Sequence, residues 1–156
     1  MMTKRKNSGF TLVEILIVVV ILGILAAIVI PQFSQASSEA RESSLKSNLQ
    51  AIRSQIELYR IQHNDLLPTD AAELTSALTT KTDIDGILWV SGVGYGPYMK
   101  DIPINPFTQA NVVGDSSGAG VDWLYTVSGT GVNASCVFIA DDGLFAPDET
   151  TPHSTY

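Results

Sequence analysis

The sequence predicts an α+β protein in which one long N-terminal helix packs on a small antiparallel β-sheet. Three observations carry that expectation. Ile15 to Ile30 is a run of 16 residues without a polar side chain. Further on, Leu45, Leu49, Ile52, Ile56 and Tyr59 recur at alternating spacings of four and three, which places them on one helix face. Near the end, Trp123-Leu124-Tyr125-Thr126-Val127 and Cys136-Val137-Phe138-Ile139-Ala140 are strand-like runs separated by a turn at Ser128-Gly129-Thr130-Gly131.

Length and charge narrow the class further. The chain has 156 residues, which allows one domain of ordinary size, and its 45% hydrophobic content argues against disorder. Its net charge of −7 is unevenly placed. Lys4, Arg5 and Lys6 precede the apolar run, so the chain from Phe10 onward carries six basic and sixteen acidic residues, a net of 6 − 16 = −10. A chain this acidic lacks the cationic footprint of nucleic-acid binding, and no nucleic-acid partner is expected. The single cysteine, Cys136, excludes an intrachain disulfide and a multi-cysteine zinc cluster.

The basic head and apolar run admit three readings. A secretory signal peptide would be cut near Ser34-Gln35-Ala36, but the apolar run exceeds the usual length and carries Glu14 near its start. A plain anchor from Phe10 to Ile30 would span roughly 31 Å, with the basic residues on the cytoplasmic side. It leaves unexplained a carboxylate that costs about 2.5–3.5 kcal/mol near the centre of a membrane and somewhat less towards its edge. Cleavage between Gly9 and Phe10 would explain it. The new amine would lie four residues before Glu14 and could pair with that carboxylate, in the same subunit or in a neighbour.

Ser8-Gly9-Phe10-Thr11-Leu12-Val13-Glu14, between a basic leader and an apolar run, resembles the class III signal of type IV pilins and pseudopilins. The resemblance implies a pilin-like fold. It also implies that a prepilin peptidase cuts after Gly9, that Phe10 is N-methylated, and that Pro31 sits within the helix. It divides the chain into a cleaved leader (1–9), a transmembrane and fibre-core helix (10–30), an amphipathic continuation (31–63) and a globular head (64–156). In a packed fibre Glu14 would set register, because a subunit out of step would leave a charge unpaired in apolar surroundings.

Beyond Pro31, which should kink the helix or remove one of its hydrogen bonds, the stripe from Leu45 to Tyr59 faces a core. Charged residues, including the Glu42–Lys46 and Arg53–Glu57 pairs, occupy the other faces. A helix from Phe10 to Ile61 would be about 78 Å long and would end near Asn64 and Pro68. Thr69-Asp70-Ala71-Ala72-Glu73-Leu74 reads as a second helix start, with Asp70 and Glu73 at capping-box spacing and Leu74 one turn from Leu78. Ile87-Leu88-Trp89-Val90 reads as a strand closed by the glycines at 92, 94 and 96. Residues 96–103 read as a proline-punctuated segment holding a turn of helix.

A second resemblance covers Leu67-Pro68-Thr69 and Gly96-Pro97-Tyr98-Met99-Lys100-Asp101-Ile102-Pro103-Ile104-Asn105-Pro106-Phe107, which are similar to a loop of type II secretion major pseudopilins. The match is partial. Asn105-Pro106-Phe107-Thr108 stands where the family usually has Asp-Pro-Trp-Gly. The absence of a second cysteine, which many classical pilins use to close a C-terminal loop, favours the pseudopilin side.

Candidate chemistry is sparse. The family resemblance suggests calcium, for which Asp115, Asp122, Asp141 and Asp142 could supply oxygen ligands. Their spacing matches no EF-hand, and the alternative is a solvated loop. His63 and His153 lack a local metal-ligand spacing and read as surface histidines. Cys136 reads as a buried small hydrophobe. No nucleophile elbow surrounds Ser128 or Ser135, so no enzyme activity and no cofactor is expected.

The resulting expectation is a structural subunit of a type II secretion pseudopilus or type IV pilus-like fibre. Its partners would be prepilin peptidase, an inner-membrane assembly platform, other pseudopilins and copies of itself. It would be a single-pass protein of the bacterial inner membrane, its head in the periplasm and its fibre in the periplasm or at the cell surface. A membrane-anchored minor pilin-like module, at a fibre tip or in DNA uptake, is the alternative. An anchored periplasmic hydrolase would need a convergent polar site that the sequence does not display.

Overall fold

The computed structural model describes residues 9–144 and 151–156. The leader residues Lys4, Arg5 and Lys6 lie outside the described residues. The chain divides into two units, residues 1–37 and residues 38–156.

The first unit is the beginning of helix α1, which runs Leu12–Gln62 and continues through Pro31. Proline has no N–H, so the carbonyl of Ala27 loses its helical donor there. Every large apolar side chain from Phe10 to Ile30 is exposed, from 83% at Phe10 to 45% at Val29. An apolar cylinder of this kind suits a bilayer or a bundle of like helices and is unsuited to water.

In the second unit α1 becomes one-sided. Leu45, Leu49, Ile52, Ile56 and Tyr59 are all at most 3% exposed, as their spacing predicts. They join one buried cluster with Leu74 and Leu78 of helix α2 (Ala71–Thr79) and with Trp123, Tyr125 and Phe138. The helix ends where Asn64 and Asp65 turn left-handed (φ 55° and 62°) and the Asp65 N–H closes back on the Arg60 carbonyl at 3.0 Å. Lys46 meets Glu42 at 2.6 Å as the i,i+4 spacing predicts. Arg53 instead donates twice to the Phe138 carbonyl, at 2.9 and 2.7 Å.

Helix α2 is capped largely as read. The Asp70 carboxylate accepts the Glu73 N–H at 2.8 Å. Glu73 reaches back to the amide and hydroxyl of Thr69, one residue beyond the usual box.

The sheet has three strands in the order β1 (Val113–Gly114), β2 (Trp123–Ser128) and β3 (Ser135–Ala140). Strands β2 and β3 pair antiparallel from Trp123↔Ala140 to Ser128↔Ser135. The expectation of a purely antiparallel sheet is corrected by β1, which runs parallel to β2. Parallel neighbours usually need a long crossover. Here a short loop suffices because β1 is only two residues long and the Val112 carbonyl takes both the Asp122 and Trp123 N–H groups. Gly114 permits the close return, since a Cβ there would lie 2.7 Å from the Val121 side chain.

Two further expectations fail. Residues 87–90 form no strand. Leu88 makes only an isolated bridge to Thr82, because the Asp83 carboxylate gathers the N–H groups of Asp85 and Ile87 and turns the chain at once. Residues 96–103 hold no helical turn. The N–H groups of Tyr98 and Met99 both hang on the Leu78 carbonyl at the end of α2.

Two buried aromatic side chains of β2 bring their polar atoms to backbone partners. Trp123 Nε1 donates to the Pro103 carbonyl at 2.9 Å and the Tyr125 hydroxyl to the Pro68 carbonyl at 2.8 Å. Burial pushes the Tyr59 hydroxyl up to about 12, from an ordinary 10.0. The fold thus favours neutral Tyr59, a stabilisation complete below pH 10 and lost as pH rises through about 12. Alkaline unfolding in that window, with Tyr59 ionising only as the head opens, is the expected outcome of an absorbance titration. Residues from Ser38 onward should fold as a soluble unit, and Leu49→Ala should destabilise it by about 2–5 kcal/mol in urea melts. Aggregation of that fragment would show that the core needs the apolar half of α1.

Candidate functional site

The N-terminal site is built from the first turn of α1. Thr11 and Glu14 form a reciprocal cap. The Glu14 carboxylate accepts the Thr11 N–H and hydroxyl, each at 2.8 Å, and the Glu14 N–H returns to the Thr11 hydroxyl at 3.2 Å. Gly9 and Phe10 lie immediately before the helix in open backbone, and both are exposed. The bond between them is therefore accessible, and a Cβ at Gly9 would meet nothing within 4 Å in the chain itself.

Thr11 is a capping residue that the sequence reading passes over. Thr11-Leu12-Val13-Glu14 is a capping-box pattern directly ahead of an apolar run, and that signal was available. Glu14 is a hydrogen-bonded helix cap, its carboxylate held at Thr11, the residue that follows Phe10.

The acidic loops are placed differently from a solvated turn. Asp115 accepts the Ala71 N–H at 2.6 Å, tying its loop to the start of α2. Asp122, Asp141 and Asp142 line one cleft with Ser117 and Gly118. Their carboxylates are engaged there: Asp122 takes the Val112 N–H, and Asp141 takes the Ser117 hydroxyl and the Gly118 N–H. Asp142 takes Asn105 Nδ2 and the Leu144 N–H. Among the described residues no three His, Cys, Asp or Glu side chains converge to hold a metal ion. These carboxylates cross-link loops.

Both histidines correct the surface expectation. His63 is fully buried, its Nδ1 2.8 Å from the Tyr59 carbonyl and its Nε2 2.9 Å from the Thr82 hydroxyl, with its ring stacked 3.8 Å from that of Tyr59. His153 is also fully buried, with Nδ1 2.9 Å from Asp142 and the ring 4.3 Å from Phe107. Isolated histidines carry no periodic signal, so the sequence does not disclose that each closes a loop over the core. Cys136 is half-buried rather than fully enclosed, and burial pushes its thiol up, away from the thiolate a nucleophile needs.

The family described as "Prokaryotic N-terminal methylation motif" matches residues 4–30. The type II secretion system core protein G of Pseudomonas aeruginosa is 34% identical over 106 residues, covering 68% of this chain and 72% of that protein. The corresponding protein of Aeromonas hydrophila is 38% identical over 106 residues, covering 68% and 71%. Similarity to the type IV major pilin protein PilA of Myxococcus xanthus is higher, 51%, but confined to 47 residues, or 30% of this chain and 21% of that one. No solved structure matches significantly. An N-terminal methylation motif followed by an alignment that runs through two thirds of both chains identifies this protein as a member of the type II secretion system core protein G family, the major pseudopilins.

Proposed function

We propose that this protein is the repeated structural subunit of a type II secretion pseudopilus, cut between Gly9 and Phe10 by prepilin peptidase, methylated at Phe10 and polymerised through the first half of α1. The observation that carries the reading is the junction of two kinds of helix in one element. Residues 15–30 are apolar and exposed on every face, and from Leu45 the same helix is buried along a single seam. The first half has cover only in a bilayer or among copies of itself. The second half already has cover from its own head.

Before assembly the apolar half spans the inner membrane once, with Lys4, Arg5 and Lys6 on the cytoplasmic side and the acidic head in the periplasm. Glu14 then acts at assembly, pairing with the Phe10 amine of its own or an adjacent subunit. Neither the relatives nor the described side chains point to catalysis, and the role is architectural. The tip or DNA-uptake reading is the weaker one, because the relatives that align over two thirds of the chain are core subunits and the resemblance to a type IV major pilin is limited to 47 residues.

Mature protein should begin at Phe10 with one added methyl group, as intact mass and N-terminal fragmentation will report. A start at Ser37 would indicate ordinary signal-peptide cleavage. Gly9→Val should leave the precursor uncut, because a branched side chain crowds the scissile bond.

The role of Glu14 is separable from its role as a cap. Glu14→Leu should enter the membrane at least as well as wild type, yet form far less fibre, since an unpaired buried charge costs several kcal/mol. Glu14→Gln should show a milder defect. Thr11→Ala weakens the cap, worth about 1 kcal/mol, while keeping the carboxylate, and should leave most fibre intact. The readout is the ratio of sheared fibre to membrane-bound subunit. A Thr11→Ala defect equal to that of Glu14→Leu would assign Glu14 to capping alone.

A further inference from the structure

Calcium, which the family resemblance suggests for the acidic loops, needs about six to eight oxygen ligands with lone pairs to spare. Asp122, Asp141 and Asp142 share one cleft, but their oxygens are directed at the chain. Asp141 gives one oxygen to the Ser117 hydroxyl at 2.8 Å and the other to the Gly118 N–H at 3.2 Å. Asp142, whose side chain is 1% exposed, is engaged more fully. Its Oδ1 accepts the Leu144 N–H and its Oδ2 accepts Asn105 Nδ2, each at 3.0 Å. His153 Nδ1 lies 3.1 and 2.9 Å from the same two oxygens. A carboxylate offers about four lone-pair directions, and donors of this chain occupy those of Asp142. The donor set does not fit a calcium ion.

We propose that His153 takes the place of a loop-closing cation, its Nδ1–H locking Asp142 to a segment that Tyr156 fastens on α1, so that the head is closed by its own chain and is indifferent to calcium. His153 grips the turn after β3 at two points. Its side chain meets Asp142, and its own N–H donates to the Leu144 carbonyl at 3.1 Å. Its ring lies 4.3 Å from that of Phe107, whose N–H donates to Asn105 Oδ1 at 2.9 Å, so the loop that carries Asn105 is held from both sides. Three residues on, the Tyr156 hydroxyl donates to Glu42 and Lys46 Nζ stands 4.2 Å from the Tyr156 ring. A cation would gather carboxylates from several loops. Here one imidazole and one amide gather them, and the aromatic residue carries the tie to the helix.

The two ring nitrogens are not equivalent. Nδ1 carries the contact to Asp142, whereas the buried Nε2 has no hydrogen-bond partner among the described residues. The lock is therefore a single donor at the Nδ1 position, which asparagine reproduces and glutamine does not. Every contact lies within one head, so the proposal is independent of fibre assembly.

The test is thermal melting of the full-length chain in detergent, with millimolar calcium chloride and with chelator. Wild type should melt at the same temperature in both, because a ligand that bound only the folded head would raise it. His153→Ala and His153→Gln should melt lower by roughly 5 °C or more, since Asp142 stays buried with a donor missing. His153→Asn should recover most of that loss. Should His153→Ala fail to accumulate, the comparison of the asparagine and glutamine variants and the wild-type calcium series still decide. A wild-type melt that rises by several degrees in calcium would overturn the proposal. So would an asparagine variant no better than glutamine, which would assign His153 to filling space, and so would an alanine variant as stable as wild type.

Discussion

The head depends on burying one seam of a single helix. Leu45, Leu49, Ile52, Ile56 and Tyr59 give α2, β2 and β3 a common surface to pack on, and each such burial stabilises by about 1.5–3 kcal/mol. The three-stranded sheet is small and includes a strand of only two residues. A sheet of that size has too little apolar surface to stand by itself. The helix is therefore the larger half of the core, and the sheet is its cover.

That dependence gives the helix two solvents. Where the sheet covers it, polar residues occupy the remaining faces. From Ile15 to Ile30, where nothing covers it, there are no polar faces at all, and the family to which the chain belongs supplies the reason. A subunit that moves from a membrane into a fibre exchanges lipid for protein around the same apolar surface, and this exchange requires no change of fold. Apolar packing alone is non-directional, so a register device is needed. In the proposed fibre Glu14 would supply one, because misplacing a buried charge is costly.

The loops show a different economy. The carboxylates of Asp83, Asp115, Asp122, Asp141 and Asp142 all take donors from the chain, several of them backbone N–H groups in segments with no strand partner. A head with little regular structure must satisfy its backbone by other means. Acidic side chains do this here, which accounts for part of the negative charge without invoking an acidic binding function. The two buried histidines complete the pattern, each bridging a loop to a helix end or to a neighbouring loop.

The sequence by itself determined the long helix, its change from all-round to one-sided apolarity, its end near Asn64, the α2 cap and the β2–β3 hairpin. These are set by periodicity, capping residues and turn residues acting over a few positions. The methylation motif over residues 4–30 was equally local, although the cap that Thr11 makes with Glu14 went unread. Only the tertiary structure decided that β1 runs parallel, that residues 87–90 stay exposed and form no strand, that Arg53 serves β3 rather than Glu57, and that His63 and His153 are buried. All but the second of those outcomes depend on a partner ten or more residues away: Asp122 for Val112, Phe138 for Arg53, Thr82 for His63 and Asp142 for His153. Local pattern carries no information about which distant group will arrive to satisfy a buried polar atom, and packing alone makes that choice.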